Sequence, residues 1–430
     1  MKFSSELFNW SLTFMRRIGY FDQPRLVLLY LLSPISLSLM AYYRTYVIRH
    51  NFDEVIVNLF KISGSTMTIG RAFIVMCKSK KFLNFFESVD EWYQELHVRF
   101  AGGSSLFLFI YYLLTFLHFQ REGDDVTLKK AHEYTKKIKK TSKTVLILTG
   151  ITIFYIMFVQ LLSTAGVGYK KLILDVAFPG VDFYESPLWE MMSILQGLWT
   201  APIVIVSYVS YLCLTLIAIA FGIFLMKNLQ SKLEGMNEMT DEEALKCIKK
   251  CVKDHVMIIK YHRDLEVLFS VNSFADVCIF AVIPCVIIII STMDHDMSML
   301  IGDIQLSIMV MISTFLVFWV GNNFCYENEN IAKAAYNCNW ENRNKEFRKY
   351  IPLIIITSQR PLQVFNDILQ LFSYFNLFFI TIMHKLLYIN FFQLTAGGLK
   401  PINMEFFLTI VRCTYSFFTV LFTMTTEGDS

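Results

Sequence analysis

The chain has 430 residues, 55% of them hydrophobic and only 17% charged, with a mean hydropathy of +0.46. Soluble proteins are about 45–50% apolar and about 25% charged, so this composition excludes a soluble enzyme and indicates an integral membrane protein of many helices. The net charge of +3 is small, so the placement of charge matters more than its sum, and no nucleic-acid partner is expected.

Residues 1–25 mix Lys2, Glu6, Arg16, Arg17 and Asp22 with Phe, Trp and Leu, which reads as an amphipathic helix on the membrane rather than a signal peptide. A first span follows at 26–43, bracketed by Arg25 and Arg44 and carrying Pro34 as a tolerated kink. The second, 55–77, is interrupted by Lys61, Ser63, Ser65, Thr66 and Arg71, which must face protein or water rather than lipid. Then come a polar helical stretch (78–97), a short apolar block (106–119), a lysine-rich helix (127–143) and the third span (144–163). A loop rich in Gly, Pro, Asp and aromatics (166–187) leads to a long fourth helix at 189–226.

Residues 227–270 are polar and helical in pattern, with Thr240-Asp241-Glu242-Glu243 as an N-terminal cap and Leu245, Ile248, Val252, Ile259 and Leu265 on the face away from the charges. The fifth span is 273–292, and the sixth is 304–324 after an acidic loop with Asp294, Asp296 and Asp303. A polar helix at 326–349 leads to an apolar run, 351–356, and to Ser358-Gln359-Arg360-Pro361. The last apolar helix contains Thr414-Tyr415-Ser416-Phe417-Phe418-Thr419-Val420-Leu421.

With the N-terminus inside and seven crossings, 29 Lys and Arg fall in inside segments and four outside (Arg44, Arg49, Lys170, Lys171). The positive-inside rule therefore predicts a cytosolic N-terminus and, with an odd number of crossings, an extracellular C-terminus. The one Asn-x-Ser/Thr sequon, Asn9-Trp10-Ser11, would face the cytosol and go unused.

Nine cysteines is an odd count with no paired extracellular spacing, so no disulfide framework is expected. Cys247, Cys251 and His255 share one helix face and could hold zinc with a fourth ligand, or could simply pack that helix against a neighbour. The basic run 249–260 could recruit calmodulin or form a solvated face. No HExxH, GxSxG, Walker or GxGxxG signature stands in a suitable context, so no enzyme, cofactor or metal is expected. Aromatic and Met side chains crowd the outer halves of several spans: Phe154, Tyr155 and Phe158 on the third, Trp199 on the fourth, Met309 and Met311 on the sixth. They could line an apolar cavity for a small volatile ligand, or serve ordinary helix packing.

Four blocks resemble the insect odorant receptors. These are Leu245 to His255 with Leu265-Glu266-Val267-Leu268-Phe269-Ser270; Ala335-Tyr336 with Trp340; Phe347-Arg348-Lys349 with Ser358-Gln359-Arg360-Pro361-Leu362; and Thr395-Ala396-Gly397-Gly398, Pro401 and Phe406 with Tyr415 to Leu421. The likeness implies an all-α protein of seven transmembrane helices: 1–25 a cytosolic amphipathic helix, 26–326 six spans with an odorant pocket in their outer half, 227–270 and 327–363 cytosolic anchor helices, and 394–424 a pore-lining last helix. It further implies an odorant-gated non-selective cation channel, a heterotetramer with the olfactory co-receptor, in the plasma membrane of an olfactory sensory neuron dendrite. Tyr415, Phe418 and Leu421 would sit at the gate, where apolar rings close a pore by dewetting. Tyr336, Trp340, Phe347, Arg348 and Arg360 would belong to the subunit anchor. The chain lacks the long acidic second inside loop of the co-receptor, which makes it a tuning subunit.

Two segments depart from the family pattern, 98–120 and 364–393. Each begins with Val and ends Phe-Gln, as a translated intron in frame would, and 377 residues remain without them. The block 106–119 is too short for a normal span, and a crossing there would carry the lysine-rich 129–143 outside. Alternatives are a gustatory receptor channel, whose last helix would carry a Gln-Phe pair where Leu421-Phe422 stands, and a multi-pass transporter, which would show an internal repeat that is not evident here.

Overall fold

The computed structural model describes residues 15–16, 19–21, 24–95, 172–292, 297–359, 408 and 412. Among them the regular elements are helices: α1 (Pro24–Val47), α2 (Phe52–Cys77), α3 (Ser79–Glu95), α4 (Leu188–Ile194), α5 (Ala201–Glu234), α6 (Asp241–Thr292), α7 (Met297–Tyr336), α8 (Lys345–Arg348) and α9 (Tyr350–Gln359). A π-helical turn, Leu195–Thr200, joins α4 to α5, and 3-10 turns cover Gly235–Glu238 and Trp340–Asn342. Among the described residues, Leu26–Val47 and Ser207–Glu238 are long and apolar enough to cross a membrane. The chain forms two compact units, Met1–Ile217 with Val282–Met311, and Ala218–Ala281 with Ile312–Ser430.

In the first unit α1 and α2 pack together through small and polar side chains. The hydroxyls of Ser38 and Ser65 meet at 2.7 Å, and Asn58 Nδ2 donates to the Ala41 carbonyl at 3.1 Å and to Thr45 Oγ1 at 3.0 Å. Such bonds are the lowest-cost disposal of polar groups inside a bilayer, where water is absent. Arg71 follows the same logic: it is buried, with its guanidinium 4.4 Å from the Tyr208 ring centroid and 5.6 Å from that of Tyr211. Leu28, Leu29, Leu32 and Leu39 are exposed on α1, as a lipid-facing surface requires. In the N-terminal amphipathic segment, Met15, Gly19, Tyr20 and Phe21 are buried and Arg16 is half-buried.

In the second unit α6 carries the core. Ala244, Ile248, Cys251, His255, Ile258, His262, Leu265, Phe269 and Asn272 are all buried, and their spacing alternates four and three without a break. That is a 3.5-residue repeat, the seam of a left-handed supercoil. Only Ile248 and Leu265 of the expected apolar stripe lie on it; Leu245, Val252 and Ile259 are half-buried at its flank. Cys251, His255 and His262 complete the seam between those apolar positions. Facing α6, Gly222 of α5 lets Phe324 of α7 and Tyr261 of α6 close in; a Cβ there would stand 2.5 Å from Phe324 Cε2 and 3.0 Å from Tyr261 Cε1. Tyr261 OH donates to the Ala218 carbonyl at 2.5 Å, and the His262 and Phe324 rings stack at 5.7 Å.

Three expected boundaries move. The fourth helix continues to Glu234, and 227–270 is therefore two helices joined by the residues around Gly235. Its second part and the fifth span are one helix of 52 residues. Thr240 caps it as expected, its amide and hydroxyl both donating to Glu243 Oε2, at 3.1 and 2.7 Å. The polar helix placed at 326–349 is broken: α7 ends at Tyr336, and Asn339 takes the left-handed conformation (φ 47°) before the Trp340 turn. Asparagine tolerates that conformation better than other side chains carrying a Cβ, which is why the chain can stop and turn there.

Candidate functional site

The loop before α4 is ordered by its own sequence. Leu172, Leu174 and Val176 alternate with half-buried residues, as an extended segment laid on a core requires, and all three are buried. Phe178-Pro179-Gly180-Val181 then turns, with Gly180 at φ 78° and Val181 N–H donating to the Phe178 carbonyl at 3.2 Å. Pro followed by a positive-φ Gly is the composition of a type II turn. Leu172, Leu174, Val176 and Phe183 form one cluster with Leu37, Ala41, Ile62 and Trp189. Tyr184 OH donates to Asp175 Oδ1 at 3.0 Å, and burial together with the Asp175 charge holds that phenol well above its usual range.

Two polar ties fix the loop to helices. Ala177 N–H donates to the Met40 carbonyl at 3.2 Å. Gln196, buried in the π turn, pairs with Leu174 twice: the Leu174 N–H donates to Gln196 Oε1 at 3.0 Å, and Gln196 Nε2 donates to the Leu174 carbonyl at 3.1 Å. The side-chain amide thus satisfies both backbone groups of a buried residue, as a neighbouring strand would. Thr200 stabilises the wide turn by donating to the Leu195 carbonyl at 3.1 Å, and its hydroxyl meets that of Ser33 at 2.7 Å.

Of the residues expected to hold a ligand, Trp199 is 48% exposed and lies stacked on Tyr30, ring centroids 6.2 Å apart, rather than in the Leu172–Trp189 cluster. Met311 is half-buried and Met309 lies on α7, its side chain outside the described set; Phe154, Tyr155 and Phe158 also lie outside the described residues. So do Tyr415, Phe418, Leu421 and Arg360, and the two departing segments 98–120 and 364–393.

The anchor residues divide by role. Phe347 is fully buried, Arg348 is exposed, Tyr336 is exposed and Trp340 half-buried, with the last two rings 6.5 Å apart. Sequence reasoning missed the polar bonds that hold this region. Glu327, almost fully buried, accepts from Gln230 Nε2 at 3.0 Å and pairs with Lys227 at 3.4 Å. On the next residue, Asn328 Nδ2 donates to the Ser358 carbonyl at 2.8 Å. The Ser358 hydroxyl donates to the Ile354 carbonyl at 2.8 Å, so at its 3.5 Å approach to His255 it is left to accept the Nε2–H of a neutral ring. Burial pushes the His255 pKa down to about 4. Cys251 shares that seam, and burial raises its thiol pKa. The geometry of Cys251 and His255 is therefore that of packing, and among the described residues no three His, Cys, Asp or Glu side chains gather to hold a metal. Within the basic run, Cys251, His255 and Ile258 are buried, while Val256 stands exposed among the lysines.

A family model described as 7tm Odorant receptor matches residues 51–374. Odorant receptor 10 of Aedes albopictus is 22% identical over 400 residues, covering 91% of this chain and 90% of its own length. Odorant receptor 30a of Drosophila melanogaster is 21% identical over 59% of each chain. The structure of the insect olfactory receptor OR5 from Machilis hrabei matches with a TM-score of 0.63 at 14% identity, covering 92% of this chain and 88% of that one. Its complex with eugenol gives a TM-score of 0.65. The fold is thus the seven-transmembrane one of insect olfactory receptors, a family of receptors rather than enzymes, and the chain belongs to the 7tm odorant receptor family.

Proposed function

We propose that this odorant receptor is the tuning subunit of an odorant-gated, non-selective cation channel, assembled as a heterotetramer with the olfactory co-receptor in the dendritic plasma membrane of an olfactory sensory neuron. The observation that carries the reading is the family match across three-quarters of the chain, joined to the short link between α5 and α6. That link is only residues 235–240, which leaves no room for a long acidic loop of the co-receptor kind. Exposed Tyr336, Val256, Leu353 and Ile356 on the second unit supply apolar surface of the sort a subunit contact buries. Phe154, Tyr155, Phe158, Trp199, Met309 and Met311 are proposed to contact a small volatile ligand, and Tyr415, Phe418 and Leu421 to form the gate.

Voltage clamp of cells expressing the chain with and without the co-receptor tests this: odour-evoked cation current is expected only with both. Uptake of a substrate without current would favour a transporter. The segments 98–120 and 364–393 are proposed to be insertions in the coding sequence; the family match ends at residue 374, inside the second, and runs across the first. Antennal transcripts that retain both blocks would sink that part.

A further inference from the structure

The turn at the tip of the loop before α4 has the composition of a buried segment without being buried. Phe178-Pro179-Gly180-Val181 carries no charged or hydrogen-bonding side chain, whereas turns standing in water draw heavily on Asn, Asp and Ser. Its two largest side chains are turned outward: Phe178 is 52% exposed and Val181 38%. The bond from Val181 N–H to the Phe178 carbonyl closes the turn and sets the two side by side, as one apolar patch. Polar residues flank it, Asp175 before and Asp182 and Glu185 after.

Backbone contacts fix the depth of this patch. With the N-terminus inside, α1 runs outward from Arg25 to Arg44, about 28 Å along its axis, close to the roughly 30 Å of a bilayer's hydrocarbon. Met40 lies one turn inside Arg44, about 6 Å nearer the bilayer centre. Ala177 N–H donates to the Met40 carbonyl at 3.2 Å, and the next Cα is only about 3.8 Å further on, so Phe178 starts at the outer boundary between headgroups and acyl chains. After the turn, Tyr184 is within reach of the Arg44 charge, which keeps the returning strand near the same boundary. The helix surface beside it is already of the lipid-facing kind. Leu39 is exposed next to Met40, and Tyr42, Tyr43 and Tyr46 are exposed just above, as an aromatic girdle at headgroup level is. Arg49 closes the girdle on the water side, 4.6 Å from the Tyr46 ring centroid.

We propose that the Phe178–Val181 tip is inserted in the outer leaflet of the membrane, both side chains among the glycerol and upper acyl groups of the lipid, and so pins the loop 172–187 to the bilayer. The patch is continuous with Leu39 and the tyrosine girdle, which selects lipid as its cover. The backbone of the tip also asks little of a medium poor in water: Pro179 has no N–H, and those of Ala177 and Val181 are bonded. Nothing in this inference depends on channel activity.

The test uses the full chain in phosphatidylcholine nanodiscs. Phe178→Cys and Val181→Cys are labelled in detergent with a nitrobenzoxadiazole maleimide, and the signal of the unaltered chain, which has nine native cysteines, is subtracted. Glu185→Cys, exposed on the polar flank, is the aqueous reference. Lipid carrying a nitroxide near the top of its acyl chain is expected to quench the label at 178 and 181 about threefold more strongly than iodide does, with the order reversed at 185. Phe178→Asp is expected to shift the label at Val181→Cys to quenching by iodide. If Phe178→Cys fails to fold, Val181→Cys carries the first readout. Stronger quenching by iodide at the tip places it in water and overturns the proposal. Protection from both quenchers, in the chain alone or once the co-receptor is added, means that protein covers the tip and overturns it as well. Lipid quenching at 181 that survives Phe178→Asp overturns the pinning by Phe178.

Discussion

Gly222 offers the sharpest quantitative test of the packing. A methyl group there would stand 2.5 Å from Phe324 Cε2, 3.0 Å from Tyr261 Cε1 and 3.3 Å from Phe324 Cδ2. Neither ring can yield easily, since both are fully buried and Tyr261 is hydrogen-bonded to the Ala218 carbonyl. Overpacking of this kind costs about 1–3 kcal/mol. Alanine returns at most about 1 kcal/mol in helix propensity. Gly222→Ala should therefore destabilise by about 1–2 kcal/mol, which lowers a melting temperature by about 2–8 °C for a unit of this size. The assay is the thermal loss of the monodisperse peak of detergent-solubilised, fluorescently tagged receptor. Phe324→Leu in the same chain should recover more than half of the loss, because it removes the closest atom, Cε2. A Gly222→Ala protein that melts at or above the wild type, or a double variant no better than the single, would refute the reasoning.

Three further outcomes follow from the same contacts. Glu327→Gln keeps shape but loses the charge facing Lys227; with Lys227 about a third exposed, the loss should be only about 1 kcal/mol, whereas Glu327→Ala should cost about twice that by also removing the side-chain acceptor of Gln230, which is left the Glu327 backbone carbonyl alone, both read by the same melt. His255 has a folded pKa of about 4, below its unfolded value near 6.5, so its neutral form stabilises the fold above pH 6.5 and that contribution is lost as pH falls toward 4. The full difference is about 3 kcal/mol, and His255→Asn should flatten the fall in melting temperature between pH 7 and 5. At the proposed gate, Phe418→Ala or Leu421→Ala should raise current in the absence of odorant, because a smaller apolar ring dewets less readily; unaltered basal current in both would remove these residues from the gate.

What could be read from the sequence depended on the physics each feature obeys. Composition and charge asymmetry are summed over many residues, so the membrane class and the odorant receptor family were legible from them and from blocks such as Tyr415 to Leu421. The Thr240 cap was legible too, because four consecutive residues specify it. The buried seam of α6 was half-read: its 3.5-residue repeat is regular, but His255, His262 and Asn272 carry part of it and do not score as apolar. The π turn was not legible, since Leu-Gln-Gly-Leu-Trp-Thr has no propensity that distinguishes it from ordinary helix. Gln196 and Glu327 were missed for a related reason. Their roles come from backbone and side chains far away in sequence, Leu174 and Lys227 among them, which only the fold brings near.

The 52-residue helix α6 has a mechanical consequence. From Asp241 to Ile283 it contains neither Gly nor Pro, and its first Pro is Pro284. Between Asp241 and Ser273 it is therefore a stiff rod about 48 Å long. A tilt of about 5° at Ser273 would sweep the far tip by about 4 Å if that tip were free. It is not free: Asp254 is tied to Lys232 at 2.7 Å, Lys249 to Glu346 at 2.8 Å, and Tyr261 to Ala218. Asp241 at the tip is bound to Arg343 as well, at 2.6 Å, so the rod is a lever held along its first twenty-one residues, and any small rotation of its membrane end must be absorbed as load on these ties rather than as motion.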